Sequence, residues 1–400
     1  MYDARPLPYP GAVDADGHVL EPTTLWEDYI DPQYRDRALR FVLDEHGLEE
    51  LEIGGQRSRR SRRGYPSALG AMGEPDLLAV MKDPDRTYTS EAAFGAMDPA
   101  DRVRMLDAEG IDAAVLYTTV GLLWECELND PELSQAYTRA YNRWICEFCA
   151  DEPRLVPTAH LSLGDPAAAA AELERAVGEG AKGAYVAPFA ITGKPLGHPD
   201  HHLVFAAAQD LGVPFAIHPT FEPLSVVGSR IDREYQGELR LLPSVIASDG
   251  VRQQFTTLFD YGVFDAFQEL RWVVLESGGG WIGYWLDRLD AVYGHTYAGT
   301  RVPLERTPSE YFCDRVWISC DPDERSIPAM IDRFGAGRFM WASDYPHADH
   351  TPDYIDDLAE LAGMIEAEDD RAAFLGGNVR ELYDIAEPVV ANPTEAVGGS

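Results

Sequence analysis

Ala12-Val13-Asp14-Ala15-Asp16-Gly17-His18 is a short apolar-and-acidic run that ends in Asp16-Gly17-His18. Residues two apart on a strand project to one face, so Asp16 and His18 aim at a common point. Seven more short β-branched runs follow, each bounded by turn residues: Ile111–Thr118, Leu155–Leu163, Gly183–Phe189, Pro214–His218, Arg271–Glu276, Val316–Cys320 and Arg338–Asp344. Helical patterns intervene at Pro131–Ala150, Asp165–Gly178, His202–Leu211, Trp281–Tyr293, Glu324–Phe334 and Pro352–Ala367. Eight strands alternating with helices predict an α/β fold, a parallel (β/α)8 TIM barrel rather than an open sheet. Most of the runs are apolar enough to be buried on both faces.

The spacing is regular except after the first run, where residues 20–98 read as an insertion. It carries a predicted hairpin, Phe41–Leu43 with Glu50–Ile53, and a basic tract of Arg57, Arg59, Arg60, Arg62 and Arg63. The tract reads either as a solvated loop or as a means of attracting an anionic substrate. Residues 1–386 are expected to form a single barrel domain and 387–400 a flexible tail.

Across the 400 residues, 68 acidic against 33 basic side chains leave a formal charge of −35. Such a surface repels phosphates and anionic headgroups, which argues against nucleic acid or membrane partners and leaves a small-molecule substrate. No basic segment leads into an apolar run at the start, and no apolar stretch is long enough to span a bilayer, so a cytoplasmic location is expected. Five cysteines make a disulfide framework improbable, and Cys146 and Cys149, on one helix face, read as core thiols rather than a redox or zinc motif. The phosphate-loop, dinucleotide and nucleophile-elbow motifs are absent.

In barrels of this type the reacting groups stand at the carboxyl ends of strands. Those positions are polar here: Asp16 and His18 close run one, run three passes His160, and His218, Glu276 and Asp344 close runs five, six and eight. Asp16, His18, His218 and Asp344 together form a set suited to one divalent ion, zinc first, with manganese or iron compatible. Phe189, Phe221, Trp281 and Tyr345 follow strands four, five, six and eight and, with His347, are candidates to line a pocket for a cyclic or aromatic substrate.

The segments VDADGHVLEPTTLW (13–26), YNRWICEF (141–148), AIHP (216–219), LESGGGW (275–281), WASDYPH (341–347) and FLGGNVRELY (374–383) resemble the amidohydrolase superfamily. The likeness is greatest to its branch containing aminocarboxymuconate-semialdehyde decarboxylase and the dihydroxybenzoate decarboxylases. The resemblance implies a distorted barrel, a homodimer, and Asp16, His18, His218 and Asp344 as metal ligands. Binuclear members use a modified lysine at the end of strand four, where this chain has Ala187-Pro188-Phe189, so a single ion is expected. The decarboxylases usually carry a His before the glycines that follow strand six, whereas this chain has Glu276-Ser277 there.

That missing imidazole leads to an expectation of hydrolysis by a metal-activated water, with Asp344 as ligand and proton shuttle and Glu276 or His160 assisting. Decarboxylation of an aromatic or muconate-type acid, and hydration, are alternatives at the same site. A metal-free barrel serving as a binding subunit is the alternative outside enzymes.

Overall fold

A computed structural model describes residues 4–223, 241–295 and 304–386. The expected tail, 387–400, lies outside the described residues. Eight strands make one sheet in the order β1 (Ala12–His18), β5 (Ile111–Tyr117), β6 (Leu155–Leu161), β7 (Gly183–Val186), β8 (Phe215–Ile217), β9 (Trp272–Val274), β10 (Val316–Cys320) and β11 (Phe339–Trp341), every pair parallel. The expected barrel is present. The strands of this sheet are buried almost throughout, because helices cover the outer face and side chains fill the inner one.

Closure between β1 and β11 is made without a ladder. Asp344 N–H donates to the Asp16 carbonyl (2.9 Å), and the Asp14 carboxylate accepts from Ser343 N–H (3.0 Å) and Ser343 Oγ (2.6 Å). The register of β1 on β5 also slips between Asp14 and Gly17. These two irregularities are the barrel's distortion, and both lie beside the metal-ligand candidates.

The helices start where the sequence punctuates them. Asp98, Asp130 and Asp165 each precede a proline and accept a backbone N–H from the first turn of Pro99–Glu109, Pro131–Cys149 and Pro166–Gly178. At the chain's end, Gly376 passes so close to β1 that a Cβ would lie 2.0 Å from the Gly11 carbonyl oxygen, and Asn378 Nδ2 donates to the Ala336 and Phe339 carbonyls (2.8 and 2.7 Å). The Gly-Gly-Asn of the last motif is therefore a packing device. Cys146 and Cys149 are buried and free, as expected of core thiols.

The insertion holds the expected hairpin, β2 (Arg40–Leu43) and β3 (Glu49–Ile53), extended by β4 (Gln56–Arg57) into a three-stranded antiparallel sheet. Ser58 Oγ donates to Glu127 Oε1 (2.6 Å), which ties the basic tract to the mouth of the barrel. Among the described residues no helix is long and apolar enough to cross a membrane.

Candidate metal centre

β1 delivers Asp16 and His18 to its carboxyl end, and the loops after β8 and β11 deliver His218 and Asp344. His18 Nδ1–H donates to the Thr118 carbonyl (2.5 Å) and His218 Nδ1–H to the Pro219 carbonyl (2.7 Å). A carbonyl only accepts, so each ring carries its hydrogen on Nδ1 and turns an Nε2 lone pair inward. The two Nε2 atoms stand 3.3 Å apart, and Asp16 Oδ1 lies 3.4 Å from both. Asp344 Oδ1 is 3.0 Å from His18 Nε2. All four side chains are buried, yet among the described residues neither oxygen of Asp16 has a hydrogen-bond partner. Inward-facing lone pairs and an orphaned buried carboxylate are what a divalent cation satisfies, so these residues fit one.

The electrostatics agree. Burial alone would push His18 down, but the Asp344 and Asp16 carboxylates outweigh it and hold the imidazole well above its ordinary range, because their charge favours a cation at the inward Nε2, whether a proton or a metal ion. Burial works to raise Asp344, yet His347, His350 and His18 hold it well below the carboxylate range. His347 Nδ1 lies 3.0 Å from both Asp344 oxygens and His350 Nδ1 2.5 Å from Oδ2.

Behind the ligands lies a layer the sequence did not disclose. Arg102 is fully buried, donates to the His18 carbonyl (3.0 Å), and with the Asp14 carboxylate brackets Gly17, whose Cβ would meet them at 2.7 and 2.8 Å. Asp14 stands two residues before Asp16 in the sequence, but the register slip after it turns its carboxylate to Ser343 and the Gly17 side instead of the point where Asp16 and His18 meet. Nothing in the pattern of Pro99–Glu109 marks Arg102 as buried. The buried Glu21 carboxylate collects the N–H groups of Thr119, Val120 and Gly121 and so fixes the loop after β5.

Beside the ligands opens a cavity of about 280 Å³, walled by Tyr65, Leu69, Met81, Leu122, Leu123 and Phe221, with Thr119, Glu276, His347 and Asp349 on its polar side. The Tyr65 and Phe221 rings meet at 5.6 Å between centroids. Glu276 Oε2 lies 3.6 Å from His218 Nε2, and its carboxylate accepts no hydrogen bond among the described residues. Burial pushes Glu276 well above the ordinary carboxyl range, and the nearby Asp344 charge adds to the shift. Phe221 and His347 thus line the cavity. Phe189 faces a separate cavity with Cys126 and Lys194 instead. Trp281 packs on Phe255 and Trp285, and the Tyr345 hydroxyl is taken by the Phe94 carbonyl (2.5 Å). His160 is not at the mouth either: it is stacked on Tyr185 (4.7 Å), which separates it from His218, and faces Glu125 (3.5 Å). The Gly279 and Gly280 N–H groups are occupied by the Glu324 carboxylate (2.7 and 2.9 Å), so the triple glycine is no free anion cradle.

A family model described as Amidohydrolase matches residues 75–385. The chain belongs to the amidohydrolase family. Among curated relatives, gamma-resorcylate decarboxylase of Rhizobium radiobacter is 28% identical over 312 residues, covering 74% of this chain and 91% of that protein. The gamma-resorcylate decarboxylase of Polaromonas sp. is 27% identical over 316 residues, covering 76% and 92%. Two solved structures share the fold. An amidohydrolase from Mycobacterium avium subsp. paratuberculosis has a TM-score of 0.75 at 22% identity, over 94% of this chain and 99% of that one. The 2,6-dihydroxybenzoate decarboxylase from Rhizobium has a TM-score of 0.63 at 21% identity, over 94% and 99%.

These relatives correct the expectation of hydrolysis, since the curated proteins matched across three quarters of the chain are decarboxylases. The expectation rested on one imidazole missing from one turn, whereas the relatives match across three quarters of the chain.

Proposed function

We propose that this amidohydrolase-family enzyme is a metal-dependent nonoxidative decarboxylase acting on a small aromatic carboxylic acid. The observation that carries the reading is the pairing of a buried Asp16–His18–His218–Asp344 set with an aromatic-walled cavity that has one unengaged carboxyl group, Glu276, at its edge. Its size favours a single ring, because pockets for drug-sized ligands start at about 300 Å³. A single ion is proposed for the four ligands. Manganese suits this set, half of it carboxylate oxygen, and a structural neighbour, dihydroxybenzoic acid decarboxylase from Polaromonas sp., has manganese bound. When bound, such an ion would supply positive charge that holds and polarises an anionic substrate.

The chain's own groups divide the remaining work. Tyr65 and Phe221 hold the ring and exclude water. Asp344, surrounded by three imidazoles, stays a carboxylate and serves as ligand. Glu276, whose carboxylate accepts no hydrogen bond among the described residues and whose acid form burial favours, delivers its proton to the ring carbon that bears the carboxylate. The bond from that carbon to the carboxylate then breaks, its electron pair restores the aromatic ring, and carbon dioxide leaves. Glu276 regains a proton from solvent through the cavity. His347, between Asp344 and Thr119 Oγ1 (3.0 Å), orients the ligand carboxylate.

The test is a panel of gamma-resorcylate, 5-carboxyvanillate and matched ring lactones and amides, incubated with manganese-loaded protein while carbon dioxide is measured. Release from an aromatic acid supports the reading. Turnover of lactones or amides without carbon dioxide overturns it.

A further inference from the structure

A second concavity, an open groove of about 710 Å³, lies on the insertion and takes in Arg57, Arg62, Arg63, Met81 and Lys82. Its three carboxylates keep their charge, and each has a partner within the groove. Glu50 pairs with Arg57 (3.0 Å), Asp44 accepts the N–H groups of His46 and Leu48 (2.8 and 2.9 Å), and Glu45 lies 3.6 Å from His46. Arg62, Arg63 and Lys82 are exposed and make no ion pair among the described residues. In a chain of formal charge −35, a groove lined by four cations (Arg57, Arg62, Arg63 and Lys82) against three carboxylates (Asp44, Glu45 and Glu50) is a local excess of positive charge. Screening confines the repulsion of the remaining surface to about 8–10 Å at ordinary ionic strength, so within that range the groove's own lining, one cation in excess, sets the field.

The groove adjoins the catalytic cavity. Met81 lines both, and the short helix Leu77–Lys82 is the partition between them. One turn serves both sides: Arg62 and Arg63 face the groove, while Tyr65 walls the cavity. The turn is locked to the partition, because Arg63 and Gly64 take positive φ (56° and 77°) and a Cβ on Gly64 would lie 1.9 Å from the Met81 carbonyl oxygen. We propose that this groove is the approach lane to the metal cavity, collecting a carboxylate-bearing substrate on Arg62, Arg63 and Lys82 and passing it over the flexible side chain of Met81. The proposal rests on the decarboxylase reading for the identity of the anion.

Two measurements test it separately. In the first, a Leu78→Cys reporter in a Cys313→Ser background is reacted with a sulfonate-bearing methanethiosulfonate and with its trimethylammonium counterpart, which reads the groove's potential without any need for turnover. Leu78 is 63% exposed on the groove, so the reporter is accessible and the fold is undisturbed. The anionic-to-cationic rate ratio should exceed that of the native Cys313, and the triple variant Arg62→Gln, Arg63→Gln, Lys82→Gln should lower it about tenfold. A ratio no higher than at Cys313 overturns the lane whatever the activity.

In the second, kcat/KM for gamma-resorcylate should fall with added salt in the native protein, and the triple variant should lose at least about tenfold at low ionic strength, in kcat/KM rather than kcat. A matched triple, Arg5→Gln, Arg104→Gln, Arg325→Gln, changes net charge equally at pairs with Asp356, Asp101 and Glu360 and should leave kcat/KM as it was. Equal losses in both triples, or none in the first, overturn the lane. A changed sedimentation coefficient in the first triple would make the groove an interface between copies and also overturn it. If the thiol ratio holds but no aromatic acid releases carbon dioxide, the decarboxylase reading fails and the groove stands as a collector of some other anion.

Discussion

Gly17→Ala is the smallest perturbation that tests how the metal centre is held. Gly17 does not need the left-handed region, so alanine meets no backbone penalty and the effect is steric alone. The new methyl would sit 2.7 Å from Arg102 Nη2 and 2.8 Å from Asp14 Oδ2, whereas unstrained contacts begin near 3.5 Å, so one or both groups must retreat by about 0.7 Å. Arg102 cannot move freely because it donates to the His18 carbonyl, and Asp14 cannot because it holds Ser343, next to Asp344. The displacement therefore reaches two proposed ligands, His18 and Asp344, at once. Overpacking of this kind costs about 1–3 kcal/mol of stability, and disturbed outer partners of a metal ligand typically cost 10–100-fold in affinity. Manganese titration against a competing chelator, with Tm of the metal-free protein alongside, reads both quantities. Gly337→Ala is the control, since nothing lies within 4 Å of a Cβ there. A Gly17→Ala protein that binds manganese with native affinity and melts at the native Tm would refute the bracketing role of Arg102 and Asp14.

His218→Ala removes one of four proposed ligands and should leave the purified protein largely free of metal by elemental analysis; a metal-replete, active variant would show that the loop after β8 supplies no ligand. Glu276→Gln should lower kcat by at least about 10²-fold with metal content intact, and a loss under tenfold would return the proton to Asp344. Burial, with help from Asp249 and against the opposing charge of Arg60, raises Glu222 to about 7. Because this folded value lies above the unfolded one, its contribution to stability is complete below about pH 4.5 and is lost as pH rises through 7. Glu222→Gln should therefore match the native protein in chemical denaturation at about pH 4 and exceed it by roughly 2–3 kcal/mol at pH 8; equal stability at both would refute the shift.

What could be read in advance divides along the ends of the strands. Asp16 and His18 were legible because a two-residue period puts them on one face, and His218 and Asp344 because they close apolar runs; the structure sets both beyond the last paired residues, Ile217 and Trp341. His160 looked equivalent, but its strand continues to Leu161 and pairs His160 with Tyr185 inside the ladder, which turns the ring toward the barrel interior. The end of an apolar run is thus a weaker guide than the end of the hydrogen-bonded ladder, and only the structure gives the second. The cavity wall from the insertion, Tyr65 and Met81, was not legible. Such residues come from short 3-10 and helical turns whose placement depends on contacts such as Ser58 with Glu127, distant in sequence and without periodicity.

Glu276 and Asp344 share a further property that links fold to chemistry: both hold positive φ, 40° and 52°, where the chain leaves β9 and β11. A non-glycine residue there costs about 1–2 kcal/mol, and such strain persists where the surrounding structure requires the side chain in that place. At both positions the turn points a carboxyl group at the same pocket. For Glu276 the strain can be separated from the chemistry. Glu276→Gly relieves the backbone and removes the carboxyl; after allowing for glycine's greater unfolded-state freedom, the metal-free protein should gain roughly 0.5–1 kcal/mol over Glu276→Gln. Both variants should lose turnover by at least about 10²-fold, because each lacks the acid. Chemical denaturation in chelator measures the first quantity and carbon dioxide release the second. A glycine variant less stable than the glutamine variant would mean the turn is not strained, and the positive φ at Glu276 would then be no argument for its catalytic role.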